Sequence, residues 1–321
     1  MTLLLTRGDI AALVRPGDYL EAVEAGFRAL AGGGAESPPP MHIHGVDGGF
    51  HAKGAAMSLD RPYAAVKLNG NFPGNPDRHG LPTVQGAILL CDAANGTLLA
   101  IMDSIEVTLR RTAAATALAA RHLARPDSAV VTICGCGAQA LPQLQALREV
   151  LPIERGFCFD SDPGRAARFA STSGLEVATC LMDAALHSDV IVACTPATAP
   201  FLTPDMVRAG AFIAAVGADA PHKSEIAPAL MAHAKVVADS LDQCAAMGDL
   251  RHAIAAGVMD RSQVHAELAE LVAGVKPGRT SADEITLFDS TGVAVQDVAS
   301  AAVIFRRALA ANVGLDIEFG R

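Results

Sequence analysis

Apolar residues recur at helical spacing through residues 8–31, GDIAALVRPGDYLEAVEAGFRALA, and Arg15-Pro16-Gly17 interrupts them. Two helices joined by a short turn are predicted there. The Gly/Pro-rich stretch GGGAESPPP, 32–40, reads as a connector. From Met41 to Asp103 the period shortens: AAVKLNG, AILLCD and LLAIMD are strand-like pieces separated by turns such as FPGNPDRHG and AANG. That pattern predicts a mostly antiparallel sheet. The Ala-rich segment 104–125 returns to helical periodicity and stops at Pro126-Asp127.

Beyond that break the grammar becomes strand and helix in alternation: AVVTICG and a helix through Glu149, GFCFD and GRAARFAST, then DVIVACT, AFIAAVG and KVVAD. Strands that are almost continuously apolar, interleaved with helices, predict a parallel sheet covered on both faces over residues 128–295. The last segment, DVASAAVIFRRALAANVG, is an amphipathic helix able to return to the first domain. The expected fold class is α/β, with an α+β domain made of residues 1–127 and 296–321 around the parallel-sheet domain.

Composition narrows the function classes. Of 321 residues, 51% are apolar and only 18% charged, with no Trp and two Tyr, so the chain is globular and its few polar positions are informative. Acidic residues outnumber basic ones, 34 to 25, for a net charge of −9. With so few aromatics to stack bases, nucleic acid is not an expected partner. A mean hydropathy of +0.31 raises the question of a membrane. The run from Ser128 to Leu147 carries no formal charge, yet it holds Gly135, Gly137, Pro142 and three Gln. It therefore reads as strand, turn and helix rather than a span, and no membrane partner is expected. The N-terminus MTLLLTRGDI has no basic region before its three Leu, so a cytoplasmic protein is expected. Seven Cys without CxxC spacing read as reduced, buried thiols.

The sequence ICGCGAQALPQL follows the strand AVVTI and opens a helix, the setting that a GxGxxA dinucleotide-binding element requires. Gly135 would make the tight turn, Gly137 would let the backbone approach a pyrophosphate, and Ala138 and Gln139 would lead into the helix N-terminus, with its unpaired N–H groups. Asp160 ends the next strand, where an acidic side chain accepts hydrogen bonds from ribose hydroxyls. Ser161 rather than Arg follows it, which favours NAD(H) over NADP(H), the latter being the alternative. Asp162, followed by Pro163, is the expected helix cap.

The run VKLNGNFPGNPDRHGLPTVQGAILLCDAANGTLLAIMD, followed by VTLRRTAAATALAARHLA, resembles the ornithine cyclodeaminase/mu-crystallin family, and GCGAQA, VGADAPHKSEI and LFDSTGVAVQDVASA are similar to further segments of that family in the same order. The resemblance implies a homodimer built from the first domain, a Rossmann domain binding a nicotinamide cofactor, and a substrate cleft between the domains. It implies that Lys67 is the active-site lysine, that Arg111 binds the substrate carboxylate as a planar guanidinium can, and that Asp219 is the catalytic aspartate. Thr112 and Arg110 are expected toward the cofactor phosphates. Thr83 is expected in the substrate-proximal loop, and Thr195 and Val293 near the nicotinamide.

The stretch before Lys67 departs from the family pattern. Cyclodeaminases carry an arginine after the proline-rich connector and a glutamate that reads the distal amine. Here Met41 or His42 stands at the first position and His51 at the second, with Lys53 two residues on. A cationic or neutral group is a poor partner for an ammonium, whereas Lys53 can anchor a carboxylate. No metal is expected: His42, His44 and His51 lack a Cys or carboxylate at suitable spacing. The expected activity is NAD(P)H-dependent reduction of an imino acid, of the Δ1-pyrroline-2-carboxylate/ketimine reductase or alanine dehydrogenase type. The alternatives are ornithine cyclodeamination, with NAD recycled, and a mu-crystallin-like binding protein without turnover. The imino or amino acid is the expected small-molecule partner.

Overall fold

The computed structural model describes residues 1–319, which fall into two compact units: Met1–Arg111 with the chain from Val293 onward, and Thr112–Gly292. The first unit opens with strand β1 (Thr2–Leu5) and helices α1 (Arg7–Leu13) and α2 (Pro16–Ala31). Thr6 caps α1 through Asp9, and Pro16 starts α2 at the position where a missing N–H is harmless. Strands β2 (Ala35–Glu36), β3 (Met41–Gly45), β4 (Gly48–Ser58) and β5 (Pro62–Asn71) follow, then the short helix α3 (Asn75–His79), β6 (Val84–Asp92), β7 (Leu98–Asp103) and helix α4 (Ser104–Leu123).

From β3 to β7 the sheet is antiparallel, as the turn-separated pieces predict. The short apolar segment TLLL gave no such signal, yet β1 pairs in parallel with β7. Period-2 alternation divides the faces. Ala55, Met57, Tyr63, Ala65 and Lys67 are buried, whereas Phe50, Val66, Leu68 and Leu89 on the opposite face are exposed.

In the second unit β8 (Val130–Cys134), α5 (Ala140–Arg148), β9 (Arg155–Phe159), α6 (Pro163–Ser173), β10 (Glu176–Val177), α7 (Leu181–Leu186) and β11 (Val190–Ala193) follow in turn. After β12 (Phe212–Ala215) come α8 (Pro228–His233), β13 (Lys235–Ala238), α9 (Leu241–Met247), α10 (Asp249–Ala255), β14 (Ala266–Glu267), α11 (Leu268–Val272) and β15 (Thr286–Asp289). All pairings are parallel, in the order β10-β9-β8-β11-β12-β15-β13-β14. The chain leaves β8 in one direction toward β10 and returns on its other side to β11, the reversal that opens a crevice at the carboxyl ends of a Rossmann sheet. The uncharged run 128–147 is β8, the glycine turn and α5, and no helix among the described residues is long and apolar enough to cross a membrane.

The chain then re-enters the first unit as α12 (Ala294–Ala311) and β16 (Leu315–Ile317). Helix α12 lies against α2, β4 and β5. A Cβ at Gly26 would meet Val295 O at 3.2 Å, so the glycine permits that close approach.

The sequence pattern and the structure differ in three places. The units divide inside α4 and at residue 293 rather than at 127/128 and 295/296. Helix α4 is unbroken across its division, and its last carbonyls belong to the second unit: Leu123 O accepts from Arg279 Nε at 2.7 Å and from Thr286 Oγ1 at 2.7 Å. Between β11 and β12 the crossover is a loop with one 3-10 turn (Pro204–Met206) instead of a helix, because Pro196, Pro200 and Pro204 break helical hydrogen bonding. Of the cysteines expected to be buried, Cys180 is exposed, since it stands outside the apolar stripe as the residue before α7.

Candidate functional site

In the first unit, register places Lys53 on β4 directly opposite Lys67 on β5, with side chains on the same face. Lys67 Nζ donates to Asp297 Oδ1 at 2.9 Å and lies 2.8 Å from Oδ2. Arg111, late in α4, donates from Nε to the same Oδ1 at 3.0 Å and from a terminal nitrogen to Gln296 Oε1 at 2.8 Å. All three charged side chains are sequestered: Lys67 is 4% exposed, Arg111 6% and Asp297 2%. Gln296 Nε2 is buried without a hydrogen-bond partner among the described residues.

The electrostatics follow from that burial. Desolvation pushes the Lys67 ammonium down, and Arg111 beside it pushes further, to about 7, against the pull of Asp297. Burial also acts to raise Asp297, but Arg111, Lys67 and Lys53 overcome it and hold the carboxyl below the ordinary carboxylate range. Two buried cations thus share one carboxylate, and Lys53 adds a smaller pull from the neighbouring strand. Asp297 and Gln296 were not singled out from the sequence; the detectable signal was a polar pair inside the otherwise apolar segment GVAVQDVASAAVIF.

The polar face continues beyond the cations. His51 is half-buried two residues before Lys53, and its ring meets that of His42 edge to face at 4.5 Å. Among the described residues no group of three His, Cys, Asp or Glu is disposed to hold a metal. Thr83 is half-buried just before β6, and its carbonyl accepts from Phe72 N at 2.8 Å. Arg110 donates from Nε to Glu106 Oε1 at 2.9 Å along α4. Val293 is buried as the residue before α12, and Thr112 is buried on α4.

In the second unit Gly135 has φ +93°, and a Cβ there would lie 2.8 Å from Cys194 O and from Thr195 Cγ2. Only glycine fits this turn. At Gly137 a Cβ would meet no atom within 4 Å, so that side of the turn is open. Ala138 is exposed beside it, and Gln139 precedes α5 without a capping side-chain bond. Asp160 ties the turn down: one carboxylate oxygen accepts from Cys136 N at 2.8 Å and the other from Asp162 N at 2.9 Å. Arg165 lies 3.9 Å from it, a cation that inspection of position 161 missed because one turn of helix supplies it. Asp162 caps α6 through Gly164 N and Arg165 N as expected. Thr195 follows β11, and Asp219, exposed in the loop after β12, pairs with Lys223 at 2.6 Å.

The sequence profile of the ornithine cyclodeaminase/mu-crystallin family matches residues 1–312. The alanine dehydrogenase of Archaeoglobus fulgidus is 39% identical over 323 residues, spanning 100% of this chain and 99% of that protein. A solved archaeal alanine dehydrogenase dimer with bound NAD superposes with a TM-score of 0.94 at 39% identity, covering 99% of each chain. The Thermococcus litoralis Δ1-pyrroline-2-carboxylate reductase, in complex with NADH and L-proline, superposes with a TM-score of 0.94 at 34% identity, covering 98% of this chain and 100% of that one. With its whole length matched in both sequence and fold, the chain belongs to the ornithine cyclodeaminase/mu-crystallin family.

Proposed function

We propose that this chain is an NAD(H)-dependent oxidoreductase that reduces the C=N bond of a carboxylate-bearing imino acid, of the Δ1-pyrroline-2-carboxylate/ketimine reductase or alanine dehydrogenase type. The observation that carries the proposal is the pair of buried cations, Lys67 and Arg111, on the one carboxylate of Asp297, with the half-buried Lys53 opposite Lys67 in the sheet. A buried cation surplus calls for an anion, and a substrate carboxylate supplies it with the planar geometry that a guanidinium matches.

The second unit fits a dinucleotide. The open side of Gly137, with the uncapped start of α5 beside it, is a cradle for a pyrophosphate, and Gly135 keeps the turn tight. Asp160 would accept from ribose hydroxyls on its remaining lone pairs, Thr195 and Val293 would border the nicotinamide, and Thr112 and Arg110 the phosphates. When bound, NADH supplies the hydride. NAD(H) is favoured, because the side chain at this position is an acid; NADP(H) is the alternative, and Arg165 is the group that would admit it.

Arg111 and Lys53 then hold the substrate carboxylate, orienting the imine carbon, which is a positioning effect. Lys67, with its proton held only loosely near neutral pH, hydrogen-bonds the substrate, and Asp219 or a water it orients delivers the proton to nitrogen. The balance is one hydride to carbon and one proton to nitrogen, giving the amino acid and NAD+. His51 and His42, in place of an acid, disfavour a substrate with a distal ammonium, while Thr83 borders the substrate.

The exposed apolar side chains Met41, Ile43, Phe50, Val66, Leu68 and Leu89 on the outer sheet face support a homodimer that pairs through it. The free cysteines fit a reducing, cytoplasmic setting. The test is NADH consumption against a panel of cyclic imines and of 2-oxo acids with ammonia, repeated with NADPH. Turnover of at least one imino acid, lost in Lys67→Ala and Asp219→Ala, is expected. Proline and ammonia from ornithine without net NADH change would replace this reading by cyclodeamination, and tight NADH binding without turnover by a binding protein.

A further inference from the structure

Glu225 lies wholly buried between the loops that follow β11 and β12, and nothing in the proposed chemistry uses it. Its backbone is fixed on both sides: the N–H donates to Asp249 Oδ1 at 2.9 Å, and the carbonyl accepts from Phe201 N at 3.0 Å and Leu202 N at 3.1 Å. The side chain collects three donors. Thr195 N–H and Thr195 Oγ1 donate to Oε1 at 2.6 and 2.7 Å, and Gly217 N–H donates to Oε2 at 2.7 Å. A Cβ at Gly217 would lie 2.2 Å from Thr195 O and 2.6 Å from Glu225 Oε1, so these segments are in contact with no room between them. Asp219 N donates in turn to Gly217 O at 3.1 Å, so the clamp reaches the loop that carries the aspartate.

We propose that Glu225 is a positioning residue that fixes Thr195 and the Gly217–Asp219 loop together, and that its protonation state sets the direction of the Thr195 hydroxyl. The inference rests on the reading of the second unit as the NAD(H) site. With the carboxylate ionised, all three donors point inward, and the Thr195 oxygen, which accepts from Ala197 N at 3.2 Å, presents a lone pair outward. A protonated carboxyl must itself donate, and of its three partners only Thr195 Oγ1 can accept. The threonine hydrogen then turns outward, and an acceptor site toward the ligand becomes a donor. Burial pushes Glu225 up to about 8, with the bonds from Thr195 and Gly217 opposing it. The titratable groups facing it are Asp249 at the start of α10, Cys134 on β8 and Cys194 after β11.

Glu225→Gln cannot reproduce this arrangement, because its single oxygen serves either Thr195 or Gly217 and its NH2 then abuts an N–H. The experiment is fluorescence titration of NADH into the full chain between about pH 6 and about pH 9, with thermal unfolding recorded alongside. Wild-type affinity is expected to change roughly three- to tenfold across pH 8, the worth of one hydrogen bond gained or lost. Glu225→Gln is expected to bind about tenfold more weakly with a flat profile. Thr195→Val, which leaves Glu225 intact, is expected to lose the pH dependence, and Thr195→Ser to keep it. A Glu225→Gln protein with wild-type affinity and wild-type pH dependence overturns the inference. So does one that merely unfolds at lower temperature while its pH profile stays unchanged. If Glu225→Gln does not fold, a Thr195→Val profile identical to wild type overturns it. A wild-type chain that binds no NADH overturns the NAD(H) reading and this inference with it, whereas failure of the variants alone leaves that reading standing.

Discussion

Asp297→Asn removes one charge from the middle of the buried cluster while keeping its shape. Lys67 Nζ at 2.8–2.9 Å and Arg111 Nε at 3.0 Å each attract the carboxylate by ~5 kcal/mol at an effective dielectric of about 20. Desolvation has already offset much of this, and breaking a buried pair by removing one partner has a net cost of about 3–5 kcal/mol. The loss depends on pH with a definite sign. Lys67 in the native chain titrates at about 7, well below an unfolded lysine, and without Asp297 it falls further. Between the variant's value and 7 the native variant binds fewer protons than the native wild type, so acidification penalises the variant more. Above 7 both lysines are neutral and only the Arg111 contact is lost. Urea unfolding at about pH 6 and about pH 9 should therefore give a larger destabilisation at the lower pH, growing by ~1.4 kcal/mol for each pH unit that the two titrations lie apart. Destabilisation below about 1 kcal/mol at both pH values would refute the view that Asp297 holds the two cations.

Arg111→Lys should lower kcat/KM for the imino acid by about two orders of magnitude, mainly through KM, because an ammonium cannot bridge Asp297, Gln296 and a ligand carboxylate as the fork does. An unchanged KM would remove Arg111 from the carboxylate site. Gly135→Ala forces φ +93° on a side chain that meets Cys194 O and Thr195 Cγ2 at 2.8 Å. A stability loss of about 2–4 kcal/mol with NADH binding weakened more than tenfold is expected, by thermal unfolding and fluorescence titration. Leu68→Glu places a charge on the outer sheet face, where Leu68 is 43% exposed. Light scattering should show a monomer with an unchanged melting profile at low concentration, and a persisting dimer would exclude this face as the interface.

Local chemistry was legible and long-range pairing was not. The glycine turn, the Asp162 cap and the antiparallel region are written within windows of a few residues, where period, turn residues and capping signals act directly. Strands β1 and β16 are four and three residues long, too short to carry a period, and find their places by pairing with each other across almost the whole chain. Lys67 and Arg111 were singled out by the resemblance of the motifs that carry them, but their partner was not. Asp297 is 230 residues from Lys67 and 186 from Arg111, and only the return of α12 onto β4 and β5 brings them together. Glu225 is similar: in the run PHKSEI it resembles any polar loop residue, and its role depends on Thr195, thirty positions earlier.

The buried charges of the two units also differ in how they survive at neutral pH. The second unit is rich in buried acid: burial raises Glu225 to about 8, lifts Asp289 well above the ordinary carboxylate value and pushes Asp249 upward, with Asp249 adding to the rise at Asp289. Protonation relieves such a surplus, so these carboxyls can serve as internal struts without a bound cation. The first unit has no equivalent escape. Lys67 can shed its proton near pH 7, but a guanidinium cannot, and Asp297 remains ionised to hold it. Arg111 therefore keeps its charge in either state of Lys67, and beside Asp297 and Gln296 its planar fork is matched to a further carboxylate. In a chain with only 18% charged residues, that buried cluster is what supports the carboxylate-bearing substrate proposed above.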